Sequence, residues 1–199
     1  MTGVQTCALP IFAHKSVPAN TLDELVAWAK SKPGALAYSS FSAGSASHFL
    51  GAQLNISFGL DMAHVPFRGS ASQINELVAG QTLLGFAQVS TSLPHVQSGA
   101  LKAIAISSEN RFKPMADAPT FRELGRPELT TSVWYGLAAR AGTPKDILDR
   151  FESAIVAAHA DPRVRAALEQ QGVEVIGQRG AELSRAIAEG SARWAAAVK

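Results

Sequence analysis

A chain of 199 residues, 47% of them hydrophobic, is long enough to build one large domain or two small lobes around a packed core. A net charge of +2 with only 17% charged residues leaves no basic face for nucleic acid, and the apolar runs are far too short to cross a bilayer as a helix. Cys7 is the single cysteine, which excludes an internal disulfide and a cysteine-rich zinc site and argues against thiol catalysis.

Residues 1–11, Met-Thr-Gly-Val-Gln-Thr-Cys-Ala-Leu-Pro-Ile, resemble the conceptual translation of a widely used sequencing adapter. They are set aside from the fold as an appended segment, with a short natural strand as the alternative. On the first reading Cys7 is foreign, and the natural N-terminus and any export signal lie upstream of what is present. Beyond this segment, Thr21-Leu22-Asp23-Glu24 is a capping box, and Leu22, Leu25, Val26 and Ala29 place an apolar stripe behind it. A helix is expected there, ended by Pro33-Gly34.

A short strand through Tyr38 leads into a polar loop, a helix over about 45–54 and a strand over 63–67. Arg68-Gly69-Ser70 then opens a helix that carries Ile74, Leu77 and Val78 on one face and stops at Gly80. A strand over 83–87, a short helix over 91–98 and a strand over 101–107 follow. This alternation predicts a parallel or mostly parallel sheet covered on both faces. Pro114, Pro119, Gly125 and Pro127 break the stretch 109–130 into a surface connection, with one short helix expected near 120–124. An aromatic, β-prone run over 131–139 precedes Thr143 and Pro144, read as N-cap and first position of a helix bearing Ile147, Phe151, Ala154 and Ile155. Asp161-Pro162 starts another helix and Gly172 stops it; a brief strand over 173–176 and a last helix containing Trp194 complete the chain.

The loop after the first of these strands is the most informative stretch. Residues 38–48 read Tyr-Ser-Ser-Phe-Ser-Ala-Gly-Ser-Ala-Ser-His, small polar residues ahead of a helix. Backbone N–H groups at a helix N-terminus converge on the positive end of its dipole, and small side chains let an anion approach them. An ordinary strand-to-helix connection has the same pattern. In an open α/β sheet the loops 40–47, 68–70 and 88–92 share the edge where the parallel strands end. The candidate ligand-binding residues are therefore Ser42, Ala43, Gly44, Ser45, Ser47, Arg68, Gly69 and Gln88. Arg68 is the cation among them, with a planar fork of donors suited to a carboxylate or, equally, to solvent. Phe41, Phe67 and Phe86 could wall the site or belong to the core.

Signatures of catalysis are absent. The chain has no Gly-x-Ser-x-Gly elbow, no phosphate loop, no Gly-x-Gly-x-x-Gly fingerprint and no His-Glu-x-x-His helix. His14, His48, His64, His95 and His159 are scattered rather than at metal-ligand spacing, and His48 reads as a structural hydrogen-bonding residue. No catalytic residue, cofactor or metal is expected.

Taken in order, the run 38–48, His64-Val65-Pro66-Phe67-Arg68-Gly69-Ser70, Leu93-Pro94-His95-Val96 with Gly99 and Leu101, Trp134-Tyr135-Gly136-Leu137 and Gly142-Thr143-Pro144 resemble the substrate-binding receptors of tripartite tricarboxylate transporters, the Bug family. The resemblance covers essentially residues 12–199. It implies an α/β fold of the type II periplasmic binding-protein kind, with two lobes hinged around a carboxylate-bearing ligand and membrane transporter subunits as partners. By the same resemblance, 12–130 forms lobe two, 131–199 supplies a crossover strand and helices of lobe one, and the rest of lobe one, with its glycine-rich loop, is missing. Ser42 where glycine is usual, Gln53 where glutamate is common and Phe41 in place of a small polar residue are departures that bear on ligand identity. The competing readings are a regulatory ligand-sensing module, from a transcription factor or a sensor kinase, and a fragment of an α/β enzyme.

Overall fold

The computed structural model describes residues 2–131, 133–171, 173–175 and 180–197. By contact density the chain divides into two compact units, Ala8–Ser132 and the combination of Met1–Cys7 with Val133–Lys199. In chain order the first strands are β1 (Thr2–Cys7) and β2 (Pro10–His14), followed by α1 (Leu22–Lys30) and β3 (Ala37–Ser40). Next come α2 (Ala46–Phe58), β4 (Ala63–Pro66), α3 (Ser70–Val78), β5 (Leu84–Phe86), α4 (Val89–Gln97) and β6 (Leu101–Ile106). The second unit adds β7 (Val133–Leu137), α5 (Lys145–Ala160), α6 (Pro162–Gln170), β8 (Val173–Val175) and α7 (Ala181–Ala197).

The larger unit is built on a five-stranded sheet of order β4-β3-β5-β2-β6. Strand β3 pairs in parallel with β4 and β5, whereas β2 lies antiparallel between β5 and β6. The sheet is thus mostly parallel with one reversed strand, and that strand begins inside the segment set aside above. Leu9, Ile11, Phe12 and Ala13 have no exposed surface, and Ile11 and Phe12 stand opposite Phe86 and Gly85. Excluding 1–11 therefore omits the start of a central strand, together with β1, which pairs antiparallel with β7 and β8 in the smaller unit.

Helix α1 carries both halves of its capping box: Thr21 Oγ1 accepts the Glu24 N–H at 3.2 Å, and Glu24 Oε2 accepts the Thr21 N–H at 3.3 Å. The signal at Thr120 is similar, since Glu123 N–H donates to Thr120 Oγ1 at 3.1 Å and Thr120 N–H to Glu123 Oε2 at 2.8 Å. No helix grows from it. Gly125 turns left-handed at φ 70° and Pro127 follows, so 120–124 is a turn, flanked by 3-10 turns at Lys113–Met115 and Pro127–Leu129. Helix α5 starts at Lys145, one residue later than expected, because the Thr143 hydroxyl donates back to Arg140 O at 2.7 Å rather than capping. Asp161 does cap α6, accepting the Arg163 N–H at 2.8 Å. Gly172 and Ile176 lie outside the described residues.

Candidate functional site

Because β3, β4 and β5 are adjacent and parallel, the chain leaves all three at one sheet edge and enters α2, α3 and α4 there. Ser45, Gly69 and Gln88 are the caps of those helices. The loops are stitched together: the Gly69 N–H donates to Phe41 O at 2.8 Å, and Ser70 Oγ lies 2.6 Å from Thr91 Oγ1, joining the starts of α3 and α4. The sequence expectation that the three loops meet at one edge is met by this geometry.

Ser45 organises the first loop. With extended backbone (φ −87°, ψ 166°), its hydroxyl accepts the His48 N–H at 3.4 Å and donates to Ser42 O at 2.6 Å. Its one proton being so placed, Ser47 Oγ, 2.8 Å away, donates to it and accepts the Phe41 N–H at 3.3 Å. Ser47 is wholly buried, so its hydroxyl holds the loop and does not face outward. Gly44 sits at φ 72°, and its N–H donates to His48 Nδ1 at 3.1 Å; the Ser45 N–H reaches Ser42 O at 3.4 Å.

Two of the N–H groups singled out from sequence, those of Gly44 and Ser45, are thus engaged within the loop. No hydrogen bond among the described residues uses the N–H of Ala43, Ala46 or Ser47. Ala46 and Ser47 occupy the first turn of α2, where helical N–H groups have no intrahelical partner. Reading Ser45 rather than the preceding loop as the cap would have identified them. Ser42, Ala43 and Gly44 are exposed beside them.

Arg68 is exposed, and no carboxylate pairs with it among the described residues. Gly69, at φ 107°, caps α3 without a side-chain hydrogen bond. The Gln88 carbonyl accepts from Ser92 Oγ at 2.7 Å and Thr91 Oγ1 at 3.1 Å. Phe41 and Phe67 are half-buried at this edge, whereas Phe86 belongs to the core, 6.2 Å from Phe121.

Beneath the loop lies a pair of imidazoles that sequence reasoning treated as scattered. The His48 and His64 rings stack with centroids 3.7 Å apart at 9°. His64 Nε2 is 2.7 Å from Ser40 Oγ, and that hydroxyl is 3.0 Å from Ser42 O. Burial, and secondarily the neighbouring His48, hold His64 below the ordinary histidine pKa. Tyr38 donates to His48 O at 3.2 Å, and burial raises its phenol to about 12. Below the sheet edge, Gln73 Nε2 donates to Phe86 O at 2.9 Å and to Ser39 Oγ at 3.2 Å. Groups of three or more histidine, cysteine or carboxylate side chains able to hold a metal are absent among the described residues.

Comparison with known proteins gives one consistent result. The sequence profile described as "Tripartite tricarboxylate transporter family receptor" matches residues 2–199. Protein BugT of Bordetella pertussis is 28% identical over 191 residues, 96% of this chain and 59% of its own length. A solved structure described as a periplasmic transporter superposes with a TM-score of 0.91 at 32% identity, covering 98% of this chain and 64% of that one. MatC from Rhodopseudomonas palustris, solved with bound malate, gives 0.90 at 29% identity and covers 98% of this chain and 67% of its own. The fold is that of these periplasmic binding proteins, and the chain spans about 59% of the length of the curated relative BugT.

Proposed function

The chain belongs to the tripartite tricarboxylate transporter receptor family, and from that premise we propose that it captures a small carboxylate outside the cytoplasm for delivery to the membrane subunits of such a transporter. The proposed ligand class is a dicarboxylate, tricarboxylate or aromatic acid, held without covalent chemistry in the periplasm. Receptors, not enzymes, make up the family and its structural neighbours.

The observation that carries the proposal is the gathering of three helix starts at one sheet edge with the exposed Arg68 beside them. Each N-terminus offers several N–H donors and a positive dipole end, and a charged acceptor strengthens every bond it takes. We assign the carboxylate to the N–H groups of Ala43 and Ala46 and the exposed Ser42 hydroxyl, the wholly buried Ser47 N–H lying behind them. Gly44, Ser45 and the buried Ser47 hydroxyl hold the loop in shape, and Arg68, Gly69 and Gln88 complete the rim. Malate, borne by a relative, is a sensible first probe. Calorimetric titration with malate, succinate, citrate and benzoate tests the proposal: saturable heat with at least one is expected, and silence from the chain encoded by the full reading frame would defeat it.

A further inference from the structure

We propose that His48 is the positioning residue of the anion loop: its Nδ1 holds the Gly44 N–H and so fixes the left-handed turn, and adding a proton to that nitrogen releases the loop. The consequence for ligand binding rests on the carboxylate reading above; the latch itself does not.

Both ends of the short loop are moored to the two stacked rings. Gly44 N–H reaches His48 Nδ1 at 3.1 Å, while Ser42 O takes the Ser40 hydroxyl that His64 Nε2 meets at 2.7 Å. A nitrogen that accepts from an N–H carries no hydrogen, so neutral His48 is the Nε2–H tautomer. With the Ser40 proton given to Ser42 O, His64 Nε2–H donates to Ser40. The ring of His48 is confined by His64 on one side and approaches Phe49 at 5.5 Å and 16°. Its carbonyl is held by Tyr38.

Protonating His48 sets N–H against N–H at Gly44, and the turn loses its tie. Among the described residues, the groups on the elements packed most closely against α2 offer no compensating anion. β3 contributes the neutral Tyr38 and β4 contributes His64, which stacks too closely for a second charge. β5 contributes no titratable group, and Arg68 after β4 is itself cationic. Glu128 lies 3.9 Å from Arg126, whose guanidinium covers Phe58 at the opposite end of the helix. Among these groups only the His48 ring touches the Gly44 N–H.

The test needs no ligand. In nuclear magnetic resonance spectra of the chain, His48 is expected as the Nε2–H tautomer at neutral pH, with the Gly44 amide shift following the His48 titration. His48→Asn, whose Oδ1 replaces the Nδ1 acceptor, should keep the neutral-pH Gly44 signal and abolish its pH dependence. His48→Leu should speed Gly44 amide exchange on the order of fivefold at fixed pH, the factor expected for one net hydrogen bond. A Gly44 amide indifferent to His48 titration, or a folded His48→Asn that behaves as His48→Leu, overturns the proposal. Should His48→Leu not fold, the wild-type and Asn titrations decide alone. Failure to bind malate with the latch intact defeats only the carboxylate reading; malate binding with an indifferent Gly44 amide defeats only the latch.

Discussion

Gly44 bears two constraints at once, a backbone angle of φ 72° and a hydrogen bond to His48, while the space a Cβ would occupy is empty. A side chain there is opposed by torsion, not by crowding. Gly44→Val should lower stability by about 1–2 kcal/mol in urea unfolding, the cost of the left-handed region for an ordinary residue. Ser42→Ala should leave stability within about 0.5 kcal/mol, as for a surface change, and weaken carboxylate binding by about 0.5–1.5 kcal/mol. A second residue-scale expectation concerns His64. Its folded-state pKa lies below the unfolded value, so the unfolded chain binds the extra proton; stability is fully present above about pH 6.5 and is lost as pH falls through the folded value. Unfolding midpoints measured from pH 7.5 to 5 should fall less steeply in His64→Asn than in wild type, and equal slopes would contradict this. A helix start near Ser45 was legible in the sequence, but Ser45 was read as a ligand contact rather than as the cap that it is. The burial of Ser47 and the stacking of His48 on His64 were not legible, because they depend on how α2 lies over β3 and β4, which no local spacing encodes.

At the scale of elements, the seat of α2 on β3 depends on Gly51. A Cβ there would stand 1.9 Å from the Tyr38 ring, the same Tyr38 whose hydroxyl supports His48. Gly51→Ala should therefore destabilise by about 1–3 kcal/mol, despite alanine's better helix propensity, because a packed core resists overfilling. Urea titration checks the sign; a stabilised variant would mean that Tyr38 moves aside freely. The alternation of strands and helices from Leu22 to Ile106 was readable because caps, glycine stops and apolar periods agreed. The expected helix near 120–124 failed for an identifiable reason: the capping signal at Thr120 and Glu123 is real, but Gly125 and Pro127 leave no room to propagate it.

For the whole molecule, the segment 1–11 sets the sharpest contrast between sequence and structure. Treated as an appendage, its removal should be nearly neutral. With Leu9 and Ile11 fully buried and Pro10 and Ile11 paired in β2, removal takes away two large core side chains worth about 2–5 kcal/mol each, comparable to the whole stability of a domain. The shortened chain is expected to lose its cooperative thermal transition, and a melting curve like that of the intact chain would show that β2 is dispensable. A strand here was the alternative reading, set aside because of the resemblance to an adapter; its antiparallel insertion into a parallel array is decided by the sheet and not by local sequence.

The central claim is that a backbone cradle at the start of α2, rather than a single salt bridge, holds the carboxylate. Calorimetric titration of malate into the product of the full reading frame tests it directly, with wild type, Gly44→Val and Arg68→Ala compared side by side. The cradle predicts that Arg68→Ala keeps affinity within about tenfold, a loss of no more than about 1.4 kcal/mol, whereas Gly44→Val exceeds that loss. If Arg68→Ala abolishes binding while a folded Gly44→Val binds as wild type does, the arginine holds the ligand and the cradle is refuted.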